Sequence, residues 1–175
     1  MSEGIGARVL RKEDKRFITG KGRYTDDIIE ANQAYAAFVR SPHAHARIVS
    51  LDTSAALAME GVETVLTGPE LVADGIGNII CGWGVTSKDG TPMNMGAWSA
   101  LATEKVRYVG DAVAIVVAES KSQAQLAAEA VVVTYEELPV VVGSVEALAQ
   151  NAPQIHDNGQ LIIGHNHRLS SQLSL

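Results

Sequence analysis

One cysteine, Cys81, stands in a chain of 175 residues. A lone thiol closes no internal disulfide and cannot by itself hold an iron–sulfur cluster, which takes about four thiolates. Aromatic residues are scarce, 5% against 46% hydrophobic residues in all, so the core must be built from Ala, Val, Leu and Ile. No apolar run approaches the ~20 residues of a membrane-crossing helix, and no signal-peptide segment opens the chain. An intracellular, cytoplasmic protein without a transmembrane segment is expected. Two further absences exclude chemistry: there is no Gly-x-Ser-x-Gly elbow and no Gly-Lys-Ser/Thr phosphate loop. No internal repeat is visible.

What is present is one domain's worth of chain, long enough for a real core. Net charge is −6, unevenly spread. Seven of the fourteen basic residues (Arg8, Arg11, Lys12, Lys15, Arg16, Lys21, Arg23) precede residue 24, against only Glu3, Glu13 and Asp14. Both an arm that docks on an acidic neighbour or anionic ligand and a solvated, irregular leader fit this pattern. The remainder is strongly acidic and poor in stacking platforms, which disfavours nucleic-acid binding.

The most ordered-looking stretch runs from Lys105 to Pro139. Val113 to Ala118 is a continuous run of β-branched and small apolar residues, as expected of a strand buried on both faces. Ser120 with Gln123 matches a helix-opening capping box, and Ala124, Ala127, Ala128 and Val131 recur at helical spacing, a small-residue stripe for close packing on a sheet. Val131 to Tyr135 reads as a second strand, stopped at Leu138-Pro139. The two strands are expected in one sheet, flanking the helix Ser120–Ala130. Upstream, Ala34 to Arg40, Ala46 to Leu51 and Val62 to Leu66 read as strands, with Ser41-Pro42 as a break. Asp52 or Thr53 caps a short helix through Met59, with Gly61 just past its end. Thr67-Gly-Pro-Glu70 opens another, to about Ala73. Ser144 to Gln150 is a last short helix. Between them, Asp74 to Trp98 holds six glycines, both tryptophans and Cys81 with no sustained period, the mark of a functional or interface loop.

Chemical candidates are few. Gly20-Lys-Gly22 lacks the third glycine of a dinucleotide fingerprint and reads as a turn. His43-Ala-His45 has a spacing metals use, but zinc wants three or four protein ligands; structural hydrogen bonding beside Arg40 and Arg47 is the better reading. His165-Asn-His167 repeats the spacing near the C-terminus. Cys81 reads as a buried, inert thiol. The carboxylate pairs Asp26-Asp27 and Glu136-Glu137 point apart as chain neighbours and more often cap or face water. No catalytic, cofactor-binding or metal-binding residue is assigned.

Several segments together resemble the large, molybdenum-binding subunit of the xanthine dehydrogenase, aldehyde oxidase and aerobic carbon monoxide dehydrogenase family. They are Arg11-Lys-Glu-Asp14, Thr19-Gly-Lys-Gly-Arg-Tyr-Thr-Asp-Asp27, Phe38-Val-Arg-Ser-Pro-His-Ala-His-Ala-Arg-Ile48, Gly61-Val62, Tyr108-Val-Gly-Asp-Ala-Val-Ala114, Ala127-Ala-Glu129, Tyr135-Glu-Glu-Leu-Pro139 and Ala152-Pro-Gln-Ile-His156, in the family's order. The resemblance implies an α+β fold, the α/β hammerhead, with a mixed sheet and a strand-helix-strand unit at 111–139. It divides the chain into a basic leader (1–24), the hammerhead domain (25–157) and a tail (158–175). That tail has no acidic residue and departs from the family pattern, so it is expected to be disordered or out of frame. The branch resembled is that of carbon monoxide dehydrogenase, whose iron–sulfur and flavin parts are separate polypeptides. By this resemblance the parent enzyme is an oxidoreductase carrying a molybdopterin cofactor in regions beyond the hammerhead. This chain by itself is then a structural and subunit-contacting part without a cofactor of its own, a fragment expected to be inactive alone. Its partners would be the remainder of the molybdenum subunit and the flavin and iron–sulfur subunits. The competing reading is a stand-alone, non-enzymatic binding or assembly module using the Gly/Trp loop.

Overall fold

The computed structural model describes residues 11–80, 82–86, 88–93, 97–147, 149 and 151–156. Cys81, His165, His167 and the whole 158–175 tail lie outside them. The chain divides into two compact units, Met1–Gln33 and Ala34–Leu175.

In the first unit a five-residue helix, α1 (Asp14–Ile18), stands in the basic leader. It ends as a Schellman motif: Gly20 at φ +70° donates its N–H to Phe17 O (3.1 Å) and Lys21 donates to Arg16 O (2.9 Å). Gly20-Lys-Gly22 is therefore a helix stop, as a turn reading requires. Phe17 stacks on Tyr24 at 5.7 Å, and a Cβ on Gly22 would strike the Phe17 ring. Asp27 caps the following turn, its Oδ2 accepting from Tyr24 N at 2.9 Å.

Among its described residues the second unit has six strands and four helices: β1 (Tyr35–Arg40), β2 (Ala46–Asp52), α2 (Ser54–Leu57), β3 (Val62–Thr67), α3 (Gly68–Ala73), β4 (Lys105–Val106), β5 (Ala112–Ala118), α4 (Lys121–Ala130), β6 (Val132–Glu137) and α5 (Ser144–Ala147). They form two three-stranded sheets, ordered β1-β5-β3 and β4-β2-β6. The α+β class expected from the sequence is what the structure has. The pairing differs. All four pairings are antiparallel, so neither sheet is mixed, and β5 and β6 lie in different sheets. The reason is edge availability: both edges of β5 are taken, by β1 and β3, and β6 finds its partner in β2. The two-residue β4 gave no readable period.

Small side chains decide the packing. Ala124 and Ala127 of α4 are buried, Ala128 is partly so, and Ala127 sits in one core cluster with Ala56, Val65, Ala114, Val116 and Val131. A second cluster joins Ala46, Ala102, Val106 and Val113. Val39, Leu51 and Val133 pack against both and so tie the two sheets together. Among the described residues no fully buried side chain is larger than valine, which lets backbones approach closely. At Gly68 the approach is closest, because an added Cβ would collide with the backbone carbonyl of Ala102.

The capping box at α4 is half formed. Ser120 Oγ accepts from Gln123 N (3.3 Å), but the Gln123 amide does not return to Ser120 N; its Nε2 donates to Glu60 O (3.1 Å), anchoring the turn before Gly61, where φ is +78°. At α3 the return bond is present, Thr67 N donating to Glu70 Oε2 at 2.8 Å. At α2, Thr53 takes the N-cap position without a side-chain bond, and Asp52 Oδ1 instead accepts from Ser54 N at 2.9 Å. Hydrogen bonding with the Ser54 side chain first, and this backbone bond next, lowers the Asp52 carboxyl from its ordinary pKa.

Candidate functional site

Three of the family-like segments, 38–48, 108–114 and 135–139, meet at one junction. The break Ser41-Pro42 turns the chain out of β1, and the residues up to His45 lead into β2. On one side this link is stapled to the turn between β4 and β5. Ser41 N donates to Asp111 O (2.9 Å), Gly110 N donates to Ser41 O (2.8 Å), and Arg40 Nη1 donates to Gly110 O (2.8 Å). Gly110 takes φ +91°, a left-handed conformation that glycine adopts without strain. Asp111 closes its own turn by accepting from Arg107 N at 3.0 Å. On the other side the link is stapled to the end of β6: Leu138 N donates to His45 O (3.0 Å), and His45 Nδ1 lies 2.9 Å from Pro139 O.

A carbonyl only accepts, so His45 carries its proton on Nδ1. Its Nε2 is then an acceptor, buried and without a hydrogen-bond partner, in a residue that is 5% exposed. His43 takes a different course. Its Nδ1 is 3.4 Å from Glu137 Oε1, and its ring tilts against Tyr135 with centroids 4.8 Å apart. Glu136, pointing the other way, pairs with Arg47 at 3.1 Å. The two histidines thus serve separate structural contacts, and among the described residues no group of three or more His, Cys, Asp or Glu is placed to hold a metal. Burial raises the Tyr135 hydroxyl above its ordinary pKa; the Asp111 charge pushes the same way and a hydrogen bond with Ser41 opposes it. Tyr108 is raised too, by burial first and by Asp111 next. Both phenols are neutral at physiological pH.

The Gly/Trp stretch forms a second feature. It leaves α3 through another Schellman end, with Gly75 at φ +77° and Ile76 N donating to Leu71 O (2.9 Å). It is drawn together by Ile79 N to Trp98 O (2.7 Å) and Met93 N to Val85 O (2.9 Å). Trp98 packs near Tyr108 and His156, with centroids 6.4 and 5.6 Å away. Apolar side chains stand outward along it, Ile80 at 89% and Trp83 at 78% exposure among them. A surface of that kind suits contact with another protein layer.

Fold and junction together have the form of a domain that packs and contacts. Residues 19–139 match the model of the family described as aldehyde oxidase and xanthine dehydrogenase, a/b hammerhead domain. The chain belongs to that family. It is 40% identical over 156 residues to the carbon monoxide dehydrogenase large chain of Hydrogenophaga pseudoflava, covering 89% of this chain and 18% of that one. It is 37% identical to the xanthine dehydrogenase molybdenum-binding subunit of Escherichia coli O157:H7, covering 83% and 19%. Among solved structures, quinoline 2-oxidoreductase from Pseudomonas putida 86 superposes with a TM-score of 0.71 at 38% identity, over 90% of this chain and 19% of that one. The chain therefore spans about one fifth of the length of these relatives.

The molybdenum cofactor that such names imply is not matched by the residues described. At the junction Ser41 Oγ and His45 Nδ1 are turned to backbone partners, while the buried Nε2 of His45 is left without one.

Proposed function

We propose that this chain is the hammerhead part of the large subunit of a molybdenum hydroxylase of the carbon monoxide dehydrogenase-like branch. Its own role is structural: it folds as a unit and presents contact surfaces to the rest of the subunit and to flavin and iron–sulfur subunits, in the cytoplasm. The molybdopterin and the oxidoreductase chemistry belong to the remaining part of such a subunit. The observation that supports this reading best is the junction. Segments 38–48, 108–114 and 135–139, which carry the family resemblance, are there used to hold one another, through backbone hydrogen bonds and bonds from Arg40 and His45 to backbone carbonyls. No helix among the described residues is long and apolar enough to cross a membrane.

A chimera tests the proposal. Residues 19–139 of this chain replace the matching segment of the Hydrogenophaga pseudoflava large chain, produced with its partner subunits. An assembled, molybdenum-containing enzyme is expected. A chimera whose inserted domain folds but never assembles would favour the stand-alone binding or assembly module.

A further inference from the structure

The sheet β1-β5-β3 has two faces, and helices cover one. Along β1 the pattern alternates strictly: Tyr35, Ala37 and Val39 turn inward, while Ala36, Phe38 and Arg40 turn out. The register sets Phe38 beside Ile115 and Ile115 beside Leu66, and sets Ala36 beside Val117 and Val117 beside Thr64. These rows share the face opposite the Val65, Ala114 and Val116 core on which α4 packs. Ile115 and Val117 belong to the central strand, with neighbours hydrogen-bonded on both sides, yet both remain partly accessible, and Phe38 is 48% exposed. Val113, on the same face, is buried in the second cluster, so the open part of the face is the stretch at Ile115 and Val117. Val113 to Ala118 nevertheless carries no polar residue that would suit this face to water.

Arg40 brings a charge to the face. The Arg40 guanidinium lies 5.2 Å from the Phe38 ring centroid and is tethered through Nη1 to Gly110 O. A guanidinium held in place beside an aromatic ring on an apolar sheet has its remaining N–H groups set for a carboxylate, bidentate by preference. The face residues Ala36, Phe38, Arg40, Thr64, Leu66, Ile115 and Val117 include no acid.

We infer that this sheet face is the seat of a protein layer with aliphatic side chains and a carboxylate opposite Arg40, supplied by the molybdenum-binding remainder of the large subunit. The inference rests on the proposed function, and the relatives, about five times as long as this chain, have the polypeptide to supply such a layer. Arginine and aromatic residues at the centre of an apolar patch are the usual carriers of interface energy.

The same chimera provides the test, with Phe38→Asp and Arg40→Glu on the face and Leu126→Asp, on the exposed side of α4, as the control. In the 175-residue chain by itself, the melting temperature of each variant reports whether the unit still folds. Each face variant is expected to lower the yield of assembled enzyme about tenfold or more while the control assembles normally. Full assembly of both face variants overturns the inference and leaves the proposed function standing. Failure of the unaltered chimera to assemble overturns the proposed function and the inference with it. Sedimentation of the isolated chain adds a further outcome: a dimer dispersed by Phe38→Asp would give the face to a second copy and overturn the assignment.

Discussion

His45 shows how a residue with the chemistry of a ligand is committed to architecture. Its Nδ1–H is fixed on Pro139 O and its backbone carbonyl on Leu138 N, so a single residue holds the start of β2 against the end of β6. Truncation to alanine leaves the Pro139 carbonyl unpaired and opens a hole in a buried site. A destabilisation of about 1–3 kcal/mol follows, read as a lower urea midpoint with an unchanged slope. The neighbouring Tyr135 supplies a pH prediction. Its folded-state pKa lies above the ordinary value of 10.0, chiefly through burial. The folded protein therefore holds the phenolic proton more tightly than the unfolded chain does. The associated stability is complete below the unfolded pKa and is lost as pH rises through the folded one. Thermal melts of the parent chain should fall as pH climbs past about 10, and Tyr135→Phe should remove part of that decline. An identical decline in the variant would assign the alkaline loss to other groups.

Helix α4 and strand β5 are the elements on which the fold turns. The alanine stripe was legible because its spacing is helical and its residues have no other use, and the structure buries it as that spacing requires. Ala127→Leu should destabilise the unit by about 1–3 kcal/mol through overpacking against Ala56, Val65, Ala114 and Val116. Leu126→Ala, one residue away on the exposed side, should change stability by less than about 0.5 kcal/mol. Equal effects in a chemical denaturation series would contradict the packing. Strand β5 was less transparent. Its unbroken apolar run implies cover on both faces; within this unit α4 covers one, and on the other Val113 is buried in the second cluster while Ile115 and Val117 stay partly accessible. A sequence records how much burial a strand expects without recording who supplies it. The return bond of Gln123 is a similar case, because an amide three residues after a serine suits both the capping box and the tie to Glu60 O that the structure makes.

At the scale of the whole molecule, the proposed division of labour predicts what the purified chain will hold. Elemental analysis should find no stoichiometric molybdenum or iron, and the absorption spectrum no flavin band. Stoichiometric metal would place a ligand set in this chain and contradict the contact role. The positions of most strands and helices follow from short-range rules: alternation, caps, and glycine or proline stops act within a few residues, so the sequence alone determines them. It also determined the class of core, since a chain this poor in aromatics has little but small aliphatic side chains to bury. Which strands became neighbours was a different matter. The assignment of β5 and β6 to separate sheets, the two-residue β4, and the meeting of Ser41, His45, Gly110, Asp111 and Pro139 depend on hydrogen bonds between residues tens of positions apart. Backbone donors and acceptors are the same at every residue, so pairing is decided by which edges remain free once the core has packed. Only the tertiary structure settles that competition.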